Sequence, residues 1–309
     1  MSNHAFSNET FAVLLGGSAA EREISLESGE CVATALEQTG ATILRIDPAE
    51  LDWWQRLSGA SFVFNLLHGP GGEDGTVQGL LDLMGLPYSG SGVLGSALTM
   101  DKARTKLLWQ GAALPTPRFA NLSVDTDWER VAKELGTVFV KPALEGSSLG
   151  MTKARGAEQI AEAYRIAANF GGEVIAEQFI EGREYTVAIL GDRALPSIRI
   201  EVSGDFYDFD AKYRSDETRF YCPSGLSESD ETELSELALA AFRLTGAEVW
   251  GRVDVIREDS GGWQLLEVNT VPGMTTHSLV PMAAKTAGLS LIEVLAEIFA
   301  ASRSSRSHG

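Results

Sequence analysis

The chain has 309 residues, a formal net charge of −18 and a sequence pI of about 4.6. Its hydrophobic content of 44% and charged content of 22% are those of a folded protein, and the length predicts two or three subdomains. The acidic balance argues against a nucleic-acid binder and against a polybasic membrane anchor, because both need a concentrated basic surface.

The N-terminus and the cysteines indicate the compartment in which the protein works. We expect no signal peptide, and no apolar run approaches the ~20 residues of a membrane span. Cys31 and Cys222 lack the spacing of metal ligands and are expected to be reduced thiols. These features together predict a cytoplasmic protein.

The first hundred residues are predicted to form a parallel α/β unit. Apolar strands at 11–15, 41–46 and 61–67 alternate with helical stretches, and Gly40 is suited to end a helix over 25–39. This order of strands and helices predicts a parallel sheet with a ligand crevice at the carboxyl ends of its strands.

The middle of the chain is predicted to begin with a capped helix. Asp101 is suited to cap a helix over 102–110, and the pair Pro115 and Pro117 is typical of a linker. Three strands are then predicted, at 137–141, 173–179 and 185–190.

The C-terminal third combines a long polar loop, 203–224, with a helix over 228–245 that a capping box beginning at Ser227 introduces. Two apolar strands follow, at 249–256 and 263–268. The predicted domain boundaries are 1–98, 99–190 and 191–309.

The last two strands are predicted to pair as a hairpin. Residues 259–262 have the composition of a tight turn. If that turn closes a four-residue loop, Glu258 lies opposite Trp263. Counting back along both strands then brings Asp254 opposite Glu267.

The same register brings Arg252 opposite Asn269. Side chains two apart on a strand share a face, so these four polar residues converge on one patch, with opposed Cβ atoms roughly 4.5–5.5 Å apart. Facing carboxylates repel unless a cation lies between them, and an oxygen-rich cluster suits Mg²⁺. The alternative is an ordinary solvated hairpin face.

Glycine-rich loops follow several of the predicted strands. Residues 16–23 and 68–75 both lie at strand ends, where backbone amides can approach an anion. Residues 145–150 follow Lys141 and can fold over phosphates, for which Lys141 and Lys102 can supply charge. Taken singly, each loop is equally compatible with a plain turn.

Two further segments are candidates for nucleotide contact. Residues 177–184 run from one strand into another, a crossing that can place an adenine against backbone amides; a charged connection is the alternative. Residues 206–213 form a long aromatic loop that we interpret as a lid.

Five collinear motifs give the chain a family resemblance. They are Gly-Gly-x-x-x-Glu-Arg-Glu-Ile-Ser, His-Gly-x-Gly-Gly-Glu-Asp-Gly, Lys-Pro-x-x-Glu-Gly-Ser-Ser, Ala-Lys-Tyr and Glu-Val-Asn-Thr-x-Pro-Gly-Met-Thr. In this order they resemble the D-alanine–D-alanine ligases of the ATP-grasp superfamily, over about residues 11–285. The resemblance implies a mixed α/β ATP-grasp fold, with a parallel-sheet N-terminal domain and two subdomains that clamp ATP.

For the amino-acid substrates, the resemblance implies that Glu23 holds the ammonium of the first D-alanine and that His68 lies near its carboxylate. Ser147 and Tyr213 would connect the lid to Glu23 by hydrogen bonds. The residues implied to stabilise the oxyanion or to meet the second D-alanine are Arg252, the Gly273 amide, Ser278 and Leu279.

For the nucleotide, the resemblance implies that Lys212 reaches the γ-phosphate, Glu177 the adenine amino group and Glu184 the ribose. The other implied ATP contacts are Lys102, Lys141, Glu145, Ser147, Ser148, Gln178, Phe179, Ile180 and Asn269. Two Mg²⁺ or Mn²⁺ ions would be held by Asp254, Glu267 and Asn269. Departures from the family pattern are Ala19, where serine is common, and Gln178, where a basic residue is frequent.

The implied reaction is the ATP-dependent joining of two D-alanines through an acyl phosphate, for peptidoglycan precursor synthesis. The family also implies a homodimer and small-molecule partners, D-alanine and ATP. Three other interpretations stay open at this point: a D-alanine–D-lactate ligase, another ATP-grasp carboxylate–amine ligase, and a nucleotide-binding sensor without turnover. The sensor is disfavoured because neither the metal ligands nor Arg252 is missing.

Overall fold

The structure is a computed structural model that describes residues 6–202 and 218–306. The predicted lid over 206–213, with Lys212 and Tyr213, lies outside the described residues. Among the residues described, no single helix is long and apolar enough to span a membrane.

The N-terminal part contains the parallel sheet that the sequence predicts. Strands β1 (Thr10–Leu14), β2 (Thr42–Ile46) and β3 (Phe62–Asn65) lie in the order β2-β1-β3, and all pairs are parallel. Helix α1 (Arg22–Glu37) provides the first crossover. The elements that follow are a 3₁₀ helix (Trp53–Leu57), α2 (Thr76–Leu83) and α3 (Val93–Met100).

The middle part is built on an antiparallel sheet in the order β4-β7-β5-β6. Its elements are α4 (Lys102–Gly111), β4 (Phe119–Leu122), α5 (Trp128–Leu135), β5 (Thr137–Pro142), β6 (Thr152–Arg155), α6 (Ala157–Ala168) and β7 (Val174–Gln178). Helices α5 and α6 cover one face of the sheet because their apolar sides meet buried strand residues such as Val138 and Val140. The other face is left for a ligand cavity.

The third sheet is also antiparallel, in the order β11-β10-β8-β12-β13, and β9 pairs with β8. Its strands are β8 (Gly182–Leu190), β9 (Arg193–Ala194), β10 (Ile198–Glu201), β11 (Arg219–Tyr221), β12 (Trp250–Glu258) and β13 (Trp263–Asn269). The helices of this part are α7 (Glu228–Leu244), α8 (Leu279–Thr286) and α9 (Leu291–Arg306).

Strand β8 belongs to the third sheet, where it pairs with β12 along its whole length. The predicted domains 1–98, 99–190 and 191–309 remain a proposal. The hydrogen bonding of β8 favours a division near residue 181 instead of 190.

Both predicted helix caps are confirmed. The Asp101 carboxylate accepts a hydrogen bond from the Arg104 amide (2.9 Å) at the start of α4, and the Ser227 hydroxyl accepts one from the Asp230 amide (3.2 Å) at the start of α7. The interpretation of Pro115 and Pro117 as a linker stays a prediction. In the structure the Pro115 carbonyl accepts a hydrogen bond from the Leu265 amide of β13 (2.9 Å).

The hairpin prediction is correct at the polar patch and wrong at the turn. Asp254 lies opposite Glu267 and Arg252 opposite Asn269, as expected. Near the turn, however, Trp263 faces Arg257 and not Glu258, because the register shifts by one residue next to Asp254. This bulge compensates for a turn shorter than the predicted one.

Candidate active site

A cavity with many charged residues in its lining lies between the second and third sheets; we call it the inter-sheet cavity. It has a volume of about 320 Å³ and receives residues from α4, β5, β7, β8, β10, β12 and β13. Eleven residues predicted for ATP or metal line it: Lys102, Lys141, Glu145, Ser148, Glu177, Gln178, Phe179, Ile180, Glu184, Asp254 and Glu267. Two separate sequence predictions, of a nucleotide site and of a metal site, therefore meet in one cavity.

Acidic groups outnumber basic ones around the inter-sheet cavity. Within the described residues, its charged lining consists of Lys102, Lys141, Arg183, Glu145, Glu177, Glu184, Glu201, Asp254 and Glu267. A polyphosphate is repelled by this excess of carboxylates unless cations offset it locally. Each lysine near the cavity therefore has a large electrostatic effect.

Lys102 lies where the glycine-serine loop and the hairpin meet. Its ammonium donates to the Glu145 carbonyl (2.7 Å) and pairs with the Glu267 carboxylate at 3.3 Å. The amide of Lys102 is itself fixed, since it donates to the Ala143 carbonyl at 3.0 Å. Lys102, the first residue of α4, thus connects the loop at 145–150 to the predicted metal patch.

The other half of the patch is arranged around Asp254. Its oxygens accept two bonds from the Arg252 guanidinium (both 2.8 Å), one from the Thr186 hydroxyl (2.6 Å) and one from the Asn269 amide (3.1 Å). Arg252 and Asp254 share a face of β12, which makes the bidentate contact possible. In this state Asp254 is neutralised by an arginine and Glu267 by a lysine.

The oxygen atoms of Asp254, Glu267 and Asn269 form a donor set that suits Mg²⁺ better than softer metals. Asp254 and Asn269 are already in contact, and Glu267 lies directly opposite Asp254 in the ladder. The described residues contain no group of three or more acidic, histidine or cysteine side chains around one point. A metal here would therefore rely on nucleotide oxygens and water for the rest of its shell.

A second cluster, which we call the Glu21 cluster, consists of Glu21, Glu73 and Ser147. The Ser147 hydroxyl donates to the Glu21 carboxylate, which is 8% exposed. The structure thus gives Ser147 a contact with Glu21, two residues before the predicted Glu23. Helix α1 begins at Arg22, so Glu21 at the cap position faces the loops, and Glu23 in the first turn faces solvent.

Glycines let two loops approach Glu21 closely. A Cβ atom on Gly146 would lie 2.8 Å from Glu21 Oε2, and one on Gly69 would lie 3.0 Å from the same oxygen. Ser147 and Ser148 both have positive φ angles, 50° and 59°, which few residues other than glycine adopt. The loop thus holds a strained conformation that turns Ser147 towards Glu21 and leaves Ser148 on the inter-sheet cavity.

Glu73 has the most perturbed carboxyl group of the Glu21 cluster. Burial, and then the charge of Glu21, raise the pKa of Glu73 to about 8, although a hydrogen bond from the Gly69 amide (2.6 Å) opposes the shift. Glu73 therefore keeps its proton at neutral pH. Two acidic residues can lie close together here because only one carries a charge.

His68 is buried and uncharged. Burial lowers its pKa to about 4, with a smaller contribution from the charge of Arg252. Its Nε2 atom has no hydrogen-bond partner among residues 6–202 and 218–306. A neutral, unpartnered ring nitrogen of this kind is suited to a hydrogen bond with a ligand.

The segment after β13 carries the remaining predicted residues. The Ser278 hydroxyl accepts a bond from the Thr275 amide (3.0 Å), and Ser278 is the cap residue of α8. A Cβ atom on Gly273 would lie 2.8 Å from the Ser278 hydroxyl, so glycine allows the backbone to pass close to Ser278. Leu279 packs in the apolar core, which leaves its amide as the part that can meet a carboxylate.

Sequence reasoning missed three residues that the structure places in these clusters: Glu21, Glu73 and Lys106. Glu21 and Glu73 lie inside two of the family motifs, but neither residue was assigned a role from the resemblance. Lys106 is fully buried in α4, and its ammonium contacts the Glu177 carboxylate. Its spacing of four residues from Lys102 was the available signal, because such residues share a helix face.

The fold and the two clusters define a ligase of the ATP-grasp class. Models of the D-ala D-ala ligase N-terminus and C-terminus match residues 50–91 and 108–300. The D-alanine--D-alanine ligase of Nitrosospira multiformis is 55% identical over 289 residues, with 93% of this chain and 94% of the relative covered. The corresponding enzyme of Halorhodospira halophila is 54% identical, with 93% and 94% covered.

Solved structures agree with these sequence matches. The D-alanine--D-alanine ligase of Bacillus anthracis superposes with a TM-score of 0.88 at 30% identity and covers 97% of this chain and 99% of that one. Its complex with ATP gives a TM-score of 0.87 at 28% identity, with the same coverage. The chain belongs to the D-alanine–D-alanine ligase family, and the expected ATP-grasp fold is confirmed.

Proposed function

We propose that this protein joins two D-alanines into D-alanyl-D-alanine with cleavage of ATP to ADP and phosphate. The observation that carries the proposal is the convergence of eleven predicted ATP and metal residues on the inter-sheet cavity. The high identity to D-alanine--D-alanine ligases over nearly the whole chain supports the choice of substrate. The two free cysteines favour a cytoplasmic location. The proposed dipeptide product favours a role in peptidoglycan precursor synthesis.

In the proposed first step, a carboxylate oxygen of one D-alanine attacks the γ-phosphorus of ATP, and ADP leaves. The reaction needs positioning and charge neutralisation, which Lys102 and Lys141 supply. Asp254, Glu267 and Asn269 would hold Mg²⁺, which when bound would supply positive charge to offset that of the phosphates. Glu21 is the better candidate than Glu23 for the substrate ammonium, because it is the carboxylate that Ser147 contacts.

In the second step, the amine of another D-alanine attacks the acyl carbon, loses a proton, and expels phosphate. Arg252 and the Gly273 amide are candidates to stabilise the oxyanion of the tetrahedral intermediate. His68 offers a neutral hydrogen-bonding group, and the start of α8 at Ser278 suits the second carboxylate. By analogy with its family, we further propose that the protein acts as a homodimer without nucleic-acid partners.

The test is phosphate release from ATP and Mg²⁺, with the product mass determined. The acceptor sets are D-alanine, L-alanine, and D-alanine with D-lactate or D-serine. Release that depends on D-alanine alone, with the mass of the dipeptide, supports the proposal. Release only with D-lactate or D-serine moves the second substrate, and ATP binding without any release favours the sensor.

The metal assignment has its own test in Glu267→Gln. This change removes the charge of one metal ligand. We expect Mn²⁺ affinity in the presence of ADP to fall by roughly a hundred-fold, because the loss of even a residue that only supports a metal ligand lowers affinity by about ten- to a hundred-fold. Electron paramagnetic resonance of Mn²⁺ measures it. Glu258→Gln, at the other end of β12, is the matched control. Equal Mn²⁺ affinity in both variants would remove Glu267 from the metal site.

A further inference from the structure

Lys106 is a buried lysine that the proposed reaction does not use. It has no exposed surface, and its ammonium contacts one carboxylate oxygen of Glu177 and donates to the Thr116 hydroxyl at 2.8 Å. Thr116 in turn donates to the Leu265 carbonyl of β13 at 2.8 Å. Lys106 is therefore held from α4, β7 and β13 at once, in a position that water does not reach.

Glu177 divides its two oxygens between two lysines. Oε2 contacts Lys106, and Oε1 accepts a hydrogen bond from the Lys141 ammonium at 3.1 Å. Lys141 and Glu177 line the inter-sheet cavity, whereas Lys106 contacts Glu177 from the buried interior. Both lysines approach the same carboxylate, but only Lys141 is accessible to a ligand in the cavity.

The charge balance gives this arrangement a consequence for anion binding. With Lys141 alone, Glu177 would form a neutral pair, and the ammonium would contribute little to a cavity that already has more acidic than basic groups. With Lys106 present, the three groups together carry one positive charge. That charge lies on the cavity side, at Lys141.

We propose that Lys106 is a positioning residue that neutralises Glu177 from the interior, so that the Lys141 ammonium stays available to the phosphates of a bound nucleotide. The inference rests on the proposed function, since it takes the cavity to be the ATP site. It predicts a specific defect when Lys106 is changed, namely a loss of phosphate recognition. A lysine that only stabilised the fold would lower stability without distinguishing one nucleotide from another.

The test compares ATP and adenosine binding in Lys106→Met, measured without D-alanine by displacement of a fluorescent ADP analogue. Without Lys106, the Lys141 ammonium pairs with Glu177 alone and contributes little net charge to a bound phosphate. We therefore expect ATP to bind at least about ten-fold more weakly, and adenosine within about two-fold of its wild-type affinity. An equal loss for both ligands, or no loss for ATP, would overturn the proposal.

Two controls separate charge from packing. Lys133→Met removes an exposed lysine in the last turn of α5. It should leave unchanged the ratio of ATP affinity to adenosine affinity, which we call the ATP-to-adenosine ratio. Thr116→Val disturbs the same buried site without removing a charge, so it should lower stability and leave the ratio close to wild type. A ratio that falls equally in Thr116→Val and in Lys106→Met would assign the effect to packing.

If Lys106→Met does not fold, Lys106→Gln retains a hydrogen-bond donor for Glu177 and should reproduce the selective loss of ATP affinity.

The pH dependence of nucleotide binding by the wild-type protein gives a further test. Burial lowers the pKa of Lys106 to about 8, and the charge of Lys141 lowers it further. The charges of Glu177 and Glu267 act in the opposite direction. The ATP-to-adenosine ratio should fall between about pH 7.5 and 9, and a constant ratio would contradict the proposal.

The outcomes also distinguish this inference from the proposed function. If the wild type binds ATP but releases no phosphate with D-alanine, the ligase assignment fails and the binding comparison can still be made. If the wild type is an active ligase and Lys106→Met keeps the wild-type ratio, only the role of Lys106 fails.

Discussion

Glu177 is buried and Glu73 is half-buried, yet the pKa values of their carboxyl groups shift in opposite directions. Burial alone raises the pKa of Glu177, but the charges of Lys106 and Lys141 outweigh it and hold the pKa below its ordinary value. Burial also raises the pKa of Glu73, and the nearby charge of Glu21 adds to the effect, so that this pKa rises to about 8. Burial raises the pKa of both groups, and the sign is reversed only at Glu177, where two neighbouring ammonium groups outweigh burial.

The comparison shows how one protein can treat two ligand charges differently. Around Glu177 the local excess is positive and suits phosphates. In the Glu21 cluster one negative charge remains while Glu73 stays protonated, which suits the single ammonium of an amino acid. The two sites lie on either side of the loop 145–150, since Ser147 faces Glu21 and Ser148 lines the inter-sheet cavity.

The largest expected effect is that of Glu21→Gln on catalysis. Removing the charge that faces the substrate ammonium should lower kcat/KM for D-alanine by roughly a hundred-fold, as for other buried charge-assisted contacts. Steady-state kinetics measure it, and ATP binding should be retained. Glu23→Gln is the matched control, because Glu23 is exposed two residues away. A large loss in Glu23→Gln with none in Glu21→Gln would restore the original assignment.

A smaller effect is expected for the stability of the Glu177 site. In Glu177→Gln, Lys106 and Lys141 lose their shared counter-charge inside the protein, and the free energy of unfolding should fall by about 3 kcal/mol. Urea denaturation measures it. Glu173→Gln, directly before β7, removes an exposed pair with Arg104 (3.1 Å) and should cost at most about 0.5 kcal/mol. Similar values for the two variants would show that Glu177 is not electrostatically coupled to its lysines.

The element types and most of the fold follow from the local pattern. The parallel sheet, both helix caps and the opposition of Asp254 and Glu267 were all predicted from residue spacing. The turn of the hairpin was not, since a bulge and a short turn cancel each other and leave no trace in the spacing of polar residues. The correct patch was thus reached through an incorrect turn.

Site residues were predictable from sequence where their motif lies on one strand or loop. They were less predictable where the orientation of a side chain determines whether it reaches the site. Glu21 and Glu23 are two residues apart, and only the starting point of α1 determines which of them faces Ser147. Helix ends are uncertain by one or two residues in any sequence-based prediction. Lys106 was missed for another reason, because its partner Glu177 is 71 positions along the chain and the pairing depends on tertiary packing.

The smallest expected effect concerns the pH dependence of stability at Glu73. The raised pKa means that the folded protein holds a proton between about pH 4.5 and 8 that the unfolded chain releases. The stabilising contribution of Glu73 is therefore complete below about pH 4.5 and is lost as the pH rises to about 8.

Glu73→Gln removes this titration while keeping an acceptor for the Gly69 amide. We expect the decline in the free energy of unfolding between pH 5 and pH 8 to be smaller in Glu73→Gln than in wild type, by about 1–2 kcal/mol, since one pKa unit corresponds to about 1.4 kcal/mol and partial access of water reduces the full shift. Urea denaturation across this range measures the slope. Glu27→Gln, exposed on α1, should reproduce the wild-type slope. An unchanged slope in Glu73→Gln would mean that Glu73 is ionised in the folded protein and that the Glu21 cluster holds two negative charges, which would remove the contrast with Glu177.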